Sequence, residues 1–411
     1  MPAPSPAPRP VAVVVHAYFE EDARVRRKVE ALLASGRAVE VFSLRLPGEV
    51  PLVERDRLRI HHLPVRRHQG AGLPTYVAEY VEFLIRAAVG LTRAHGQRPF
   101  GLVDINSLPD FLVVAGLPVR MVGVPILLDL HEAMPEFFES RFPRASNRLA
   151  RTVLNAQERV SIRLASAILT VNESLAGRLR DIGVAADKVT VILNSPSLEL
   201  FDRVAAAERG FMADGVLRLV YTGALTPIYE LDVALQAVAA VAAARPDLAI
   251  EIDIYGRGDS EPELRRLAAE LGIAKRVRFG GRIPLEAVPG VVAAADIGLA
   301  PTRRDAFTER SLSTKIFEYA AMGKPVIASA LPTVEHYFPP GSVGLYRSGN
   351  PDDLARAILA VVDDPEARSR AVAASTECLA ALGWDRQAAA YLAVIDRLAV
   401  GDERSRAGGW P

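Results

Sequence analysis

At 411 residues the chain exceeds what one ordinary hydrophobic core organises, so two domains are expected. Lys+Arg and Asp+Glu both number 49, a balance that excludes a global field drawing in nucleic acid or an anionic membrane and leaves only local patches for such contacts. Cys378 is the only cysteine, which excludes an intrachain disulfide framework and a cysteine-rich zinc site and fits a reducing cytosol.

The chain opens on a proline-rich lead-in, residues 1–10, which has no hydrophobic signal core and reads as disordered. No uninterrupted apolar stretch approaches the roughly 20 residues that span a bilayer. Short β-branched runs then alternate with amphipathic stretches. Strands are predicted at Val11–Val15, Val39–Leu44, Leu102–Ile105, Ile126–Leu130, Ala167–Val171 and Val189–Leu193. Helices are predicted at Asp22–Ser35 (stopped by Gly36), Tyr76–Ala94 and Leu149–Leu164. The pattern lapses over Ser195–Gly215. It restarts with strands at Leu217–Tyr221, Ile250–Tyr255, Val277–Phe279, Ile297–Ala300 and Pro325–Ala328, and helices at Leu231–Ala244, Glu261–Leu271 and Ser313–Met322. From Asp352 to Val400 the chain reads as helix with turns near Pro365 and Gly383, and the polar tail after Gly401 as loose. Apolar strands separated by helices imply α/β architecture with parallel sheets covered on both faces. The expected organisation is two doubly wound, Rossmann-like domains, 11–195 and 196–385, followed by a terminal helix and tail at 386–411. Ligands of such sheets sit beyond the carboxyl ends of the strands, and with two domains the cleft between them is the expected site.

The segment Ser311–Ser329, SLSTKIFEYAAMGKPVIAS, is the most informative. Ser313 or Thr314 caps a helix, Gly323 ends it, and Pro325 enters the next strand. A helix start after a strand and loop presents free amides and a positive dipole end, which suits a diphosphate. Lys315 stands in the first turn, where the dipole favours an acid, so its charge is available to a ligand. Glu318, one turn on, suits ribose hydroxyls. Taken alone, such a Lys and Glu would more often be a solvated helix face.

That segment closely resembles the helix–Gly–x–Pro–Val–strand unit of the retaining GT-B glycosyltransferases of family 4. DARVRRKVEALLASGRAVEVFS, LLDLHEAMPEFF, ILTVNESLAGRLRDIGV, VTVILNSPSLELF, LVYTGALTPIYELDVALQAV and IDIYGRGDSEPELRRLAAELGIAKRVRFGGRI are similar to its other landmarks, in the family's order. The resemblance spans about residues 11–385. It implies transfer of a sugar, with retention, from a nucleotide sugar such as a UDP- or GDP-sugar, with no further cofactor and no metal. The C-terminal domain would hold the donor and the N-terminal domain the acceptor, with the last helix crossing back. It further implies His131 and Glu318 as catalytic residues and Asp129, His131 and Glu132 as the acceptor side. Gly223, Gly256, Arg257, Arg282, Arg310, Ser311, Leu312, Ser313, Lys315 and Glu318 form the implied donor side. By spacing alone, His131 and Glu132 stand at the carboxyl end of a parallel strand, where a loop histidine satisfied by a carbonyl is the plainer reading. The Tyr255–Asp259 turn is read equally well as compact packing, and Arg282 as a solvated loop residue.

Two departures from the family stand out. Its Arg after the glycine at Gly223, and the Lys that follows, are replaced by Ala224 and the uncharged run to Tyr229, leaving no diphosphate clamp there. The glutamate expected eight places before Glu318 is Arg310, with Glu309 adjacent. Arg303, Arg304, Arg310 and above all Lys315 are the candidate replacements. Fewer cations would slow departure of the diphosphate, so two alternatives stay open: a nucleotide-sugar epimerase of the same fold, or a degenerate binding or regulatory subunit.

No metal centre is apparent, since His61 and His62, adjacent on a probable strand, point to opposite faces. Glu251–Asp253 lies inside a strand and reads as incidental. Tyr76, Tyr80, Phe83, Leu84 and Ala87 share a helix side, and Arg141, Arg144, Arg148, Arg151, Arg159 and Arg163 make the segment 141–163 basic. A solvated face is the preferred reading of the latter. The resemblance adds an expectation of a cytoplasmic enzyme in peripheral contact with the inner face of the membrane, acting on a sugar, lipid-linked or small-molecule acceptor and not on nucleic acid.

Overall fold

The computed structural model describes residues 8–68, 72–142, 145–196, 200–203 and 209–407. The side chains of 141 and 400–407 lie outside that description, as do Arg144 and most of the lead-in. Contacts divide the chain into two compact units. The first runs to Leu193 and takes the chain back from Gln387; the second is Asn194–Arg386.

The first unit is built on β1 (Val11–Tyr18), β2 (Val39–Leu44), β3 (Leu52–Arg55), β4 (Leu58–Leu63), β5 (Leu102–Asn106), β6 (Ile126–Leu130), β7 (Ala167–Thr170) and β8 (Val189–Val191). Their order is β3-β4-β2-β1-β5-β6-β7-β8, parallel throughout except for the antiparallel β3–β4 hairpin at the edge. The helices are α1 (Ala23–Ala34), α2 (Leu73–Gln97), α3 (Leu117–Arg120), α4 (Met134–Arg141), α5 (Arg148–Leu164) and α6 (Glu173–Asp181). Asp22 caps α1 by accepting from Val25 N at 3.0 Å, and Val25, Val29 and Leu32 bury its inner stripe. Strand order reverses between β1 and β5, so the ends of β1, β5 and β6 define this sheet's ligand crevice.

The second unit carries β9 (Val216–Thr222), β10 (Ala249–Tyr255), β11 (Val277–Gly281), β12 (Ile297–Ala300), β13 (Val326–Ser329) and β14 (Gly344–Tyr346), all parallel, in the order β11-β10-β9-β12-β13-β14. Its switch point lies between β9 and β12. Around the sheet run α7 (Leu231–Ala244), α8 (Glu261–Glu270), α9 (Val288–Ala293), α10 (Thr314–Ala321), α11 (Pro332–Tyr337), α12 (Pro351–Asp363) and α13 (Pro365–Leu382). Asn350 and Asp364 cap the last two by accepting from Asp353 N and Ala367 N.

Two expectations change. The stretch Pro227–Ala244 is long and apolar enough to match a membrane span by length and composition. It is nevertheless largely a core helix, because α7 buries Leu231, Val233, Leu235, Val238 and Val241 against the second sheet. The tail after Gly401 is not loose from that point: α14 (Trp384–Ala407) continues through it, in a run of charged residues with no proline to stop it. This helix belongs to the first unit. Gln387 Oε1 accepts from Leu193 N at 2.9 Å, Tyr391 donates to Asp104 Oδ2 at 2.8 Å, and Asp396 pairs with Arg37.

Candidate active site

In the second unit the site is built where β9 ends. Gly223 and Gly256 adopt φ of +147° and +146°. A Cβ on Gly256 would stand 1.7 Å from the Gly223 carbonyl oxygen, so only glycine lets the β9 and β10 loops touch. Leu225 N, donating to Arg257 O at 2.9 Å, fastens the same contact. The Tyr255–Asp259 turn is therefore, first of all, a packing device that places Gly223. The Arg257 side chain is exposed, as is Arg282 in the loop after β11.

α10 is fixed against this turn by Tyr319. Its ring lies over Gly298 of β12, and its hydroxyl accepts from Thr222 N at 3.0 Å. Lys315 consequently lies along Gly223, with its Cε 2.6 Å from where a Cβ would be. The side chain is buried, and its ammonium stands 3.9 Å from the centre of the Tyr229 ring and 5.1 Å from that of Tyr221. No carboxylate lies within ion-pair distance of it among the described residues. Cation–π contact with two rings is worth about 0.5–2 kcal/mol, whereas a buried charge without its counter-ion costs several. The interaction is complete only with an anion. Beside it the first amides of α10 have no intrahelical acceptor, and Ser313, placed to cap them, does not: its Oγ is buried without a hydrogen-bond partner. Glu318 is half-buried and shares the Lys315 face at i, i+3. Ser311 is held by Thr333, whose hydroxyl donates to its carbonyl at 2.5 Å, and Leu312 packs against the core.

Arg304 pairs with Glu309 at 2.7 Å on the surface, which also occupies the glutamate nearest the family's missing one. Arg303 serves through its backbone, donating to Ile228 O at 2.7 Å, and Arg310 is half-buried in the turn before Ser311. Glu251 and Asp253 face arginines of neighbouring strands, Arg218 and Arg278. A buried acid that the sequence did not single out, Glu230, accepts from Ser348 Oγ at 2.7 Å and Gly349 N at 3.1 Å, holding the loop after β14 to the start of α7.

In the first unit, β5 and β6 end in a buried polar network. Lys28 of α1 donates to Asp104 at 2.9 Å, Asn106 at 2.7 Å and Asp129 at 2.8 Å, while Arg24 pairs with Asp129 as well. Burial alone would raise the Asp129 carboxyl, but Arg24 and Lys28 outweigh it and hold it well below the usual range. Asp129 is thus an ion-pair anchor and not a base. His131 follows it, half-buried, with Nδ1 3.4 Å from Ser107 Oγ. Burial pulls its imidazole far below its ordinary value, Arg24 adds to that and Asp129 opposes it, so the ring is neutral at pH 7. Glu132 behaves oppositely: burial pushes it up to about 7, with Arg24 pulling it back, and its Oε2 is out of solvent without a hydrogen-bond partner. Nearby, Asp110 is fully buried with both carboxylate oxygens unpartnered, and burial raises it well above its ordinary value.

Sequence reading missed His16 at the end of β1. It is buried, with Nε2 3.1 Å from Glu79 and its ring edge-on to Tyr80 and Phe83 at 4.7 and 4.9 Å. The aromatic side of α2 was visible; the carboxylate that reaches back to β1 was not.

Residues 22–195 match the Glycosyl transferase 4-like domain family and residues 217–364 match Glycosyl transferases group 1. A D-inositol 3-phosphate glycosyltransferase of Geodermatophilus obscurus is 30% identical over 393 residues, covering 91% of this chain and 84% of its own. The chain belongs to the group 1 (family 4) glycosyltransferases. It is also similar to a 2-deoxystreptamine glucosyltransferase of Streptomyces kanamyceticus, 27% identical over 410 residues, covering 93% of this chain and 99% of the relative. Among solved structures it resembles sucrose-phosphate synthase of Thermosynechococcus elongatus, with a TM-score of 0.74, 20% identity and coverage of 96% and 100%. The Anabaena protein HepE in complex with UDP-glucose gives a TM-score of 0.69 at 14% identity, with coverage of 95% and 100%. The chain therefore has the GT-B fold, and it is a glycosyltransferase.

Proposed function

We propose that this glycosyltransferase takes its sugar from a nucleoside diphosphate sugar, a UDP-sugar first, and passes it with retention to a hydroxyl of a polyhydroxylated acceptor. The observation that carries the donor assignment is the buried Lys315 ammonium beside the uncapped start of α10. It stands in for the Arg–Lys clamp that Ala224 and Tyr229 lack, and it neutralises the charge that develops as the diphosphate leaves. Glu318, on the same helix face, takes the ribose hydroxyls. On the other unit, neutral His131 offers a hydrogen bond to the sugar or acceptor without introducing charge. Glu132, protonated about half the time near pH 7, accepts from or donates to the acceptor hydroxyl. The acceptors named for the two relatives, inositol phosphate and 2-deoxystreptamine, are both polyhydroxylated carbocycles, and such a ring is the acceptor class to try first. The test is incubation with UDP-sugars, with and without an inositol- or aminocyclitol-type acceptor. Free UDP that accumulates only with acceptor, and an α-linked product from an α-linked donor, support the reading. A new donor epimer formed without acceptor supports the epimerase instead.

Peripheral membrane contact, proposed here as well, is supported by one surface. The outer face of α2 exposes Val77, Val81, Ile85 and Val89 at four-residue spacing, and α5 exposes Leu149, Val153 and Val160 among Arg148, Arg151, Arg159 and Arg163. Both helices pack on the short helical segment Asp110–Gly116. Apolar side chains rimmed by arginine suit an anionic bilayer interface. Co-sedimentation with vesicles containing phosphatidylglycerol should be lost when Val81 and Ile85 are both replaced by Glu; binding unaffected by that change would remove the proposal.

A further inference from the structure

The β4 edge of the first sheet holds a histidine whose bonding is unfinished. His61 and His62 do point to opposite faces: His61 stacks on Phe42 with ring centres 4.5 Å apart and bonds Glu40 at 2.9 Å. His62 turns the other way and is buried, its side chain only 2% exposed. Its Nδ1 lies 2.8 Å from the Val50 carbonyl oxygen. A carbonyl only accepts, so Nδ1 donates to it and Nε2 is the ring nitrogen left for another partner. That nitrogen is buried without a hydrogen-bond partner and faces Glu20 Oε1 at 3.5 Å, too far for a good hydrogen bond. Glu49 completes the group: a ligand atom from each of the three residues lies within 4.8 Å of the others, and Glu49 Oε2, 3.7 Å from Nδ1, accepts from Leu46 N at 2.7 Å, which leaves Oε1 for an ion.

A buried imidazole nitrogen without a hydrogen-bond partner, turned toward two carboxylates, is a setting that a metal ion completes. The geometry points to a divalent transition-metal site, formed by His62 Nε2 with Glu20 and Glu49 carboxylate oxygens and completed by water, with zinc as the best-suited ion. Zn–N and Zn–O bonds of about 2.0–2.1 Å set tetrahedral ligand atoms about 3.3–3.4 Å apart, close to the 3.5 Å between Nε2 and Oε1. The Val50 carbonyl supplies the outer hydrogen bond that fixes the tautomer of a metal-bound imidazole. One imidazole and two carboxylates favour zinc or a similar ion over magnesium or calcium, which take all-oxygen sets. β4 lies four strands from β6, on the order of 19 Å, so the ion is structural: it ties the turn carrying Glu20, which leads into α1, to the sheet edge.

The test is calorimetric titration of the full, chelator-treated chain with Zn2+, alongside melting curves with Zn2+ or Mg2+. The parent should bind one equivalent that raises the melting temperature, with Mg2+ having little effect. His62→Gln and Glu20→Gln should each weaken that binding tenfold or more, while His61→Gln should leave it unchanged. Glu20 is largely exposed, so Glu20→Gln decides the matter without endangering the fold. A parent that binds no zinc, or a Glu20→Gln variant that binds like the parent, overturns the assignment.

Discussion

Among the described residues, Lys315 and Glu132 are both unfinished interactions, one a buried cation without an anion and the other a carboxylate oxygen held from water without a donor. Each makes a prediction of its own. Glu132 has a folded-state pKa of about 7, above its ordinary value, so the folded protein binds more protons than the unfolded one between those two pH values. Stability from this group is full below its unfolded pKa and is lost as pH rises through about 7. Glu132→Gln should therefore melt close to the parent at pH 4 and above it at pH 8, by about 2–4 °C for each kcal/mol removed; equal melting at both pH values would contradict the burial argument. His131 is the reverse case, a group kept neutral, so His131→Ala should leave nucleotide affinity within about twofold and suppress turnover by roughly tenfold or more, as loss of one positioned hydrogen bond does. Steady-state rates beside binding titrations separate the two effects.

At the scale of elements, the site depends on how tightly two loops and a helix fit. Gly256→Ala forces a methyl into the Gly223 carbonyl and onto a backbone with positive φ. Overpacking of this kind costs about 1–3 kcal/mol, and urea unfolding should register at least that, together with weaker nucleotide binding because Gly223 and Lys315 must shift. α14 is tied to the first sheet by Tyr391, and Tyr391→Phe leaves Asp104 short of one donor. A loss of about 1–3 kcal/mol is expected, read as a lower denaturation midpoint. The sequence made the longer helices and most parallel strands legible because their caps, glycines and apolar spacing are local: Asp22, Gly36, Asn350 and Asp364 each act within a few residues; α3, α4, α6, α9 and α11, all under ten residues, were not named. The β3–β4 hairpin and β14 were not read as strands, or only partly, because the edge strands are short and half polar. Lys28 with Asp104 and Asp129, Tyr391 with Asp104, and His16 with Glu79 were invisible for another reason. Each joins residues distant in sequence, and only the fold brings them within hydrogen-bond distance.

At the scale of the whole molecule, each unit is a Rossmann-like sheet with its polar side chains at the carboxyl ends of the central strands. The neutral His131 and the pair Asp129–Arg24 stand at one sheet, and Lys315, Ser313 and Glu318 at the switch point of the other. The candidate site was legible to that extent: Lys315 and Glu318 from the helix start, His131 and Glu132 from a strand end. The rings beside the Lys315 ammonium were not legible, since Tyr221 and Tyr229 read in sequence as a strand residue and a loop residue. The measurement that tests this most directly is calorimetric titration of UDP into the parent and Lys315→Met. Removing one charged hydrogen bond of about 1.5–3 kcal/mol should weaken binding roughly 10- to 150-fold, while the folded protein remains at least as stable without its unpaired buried charge. UDP binding with the same affinity in both proteins would contradict the assignment of Lys315 as the diphosphate cation.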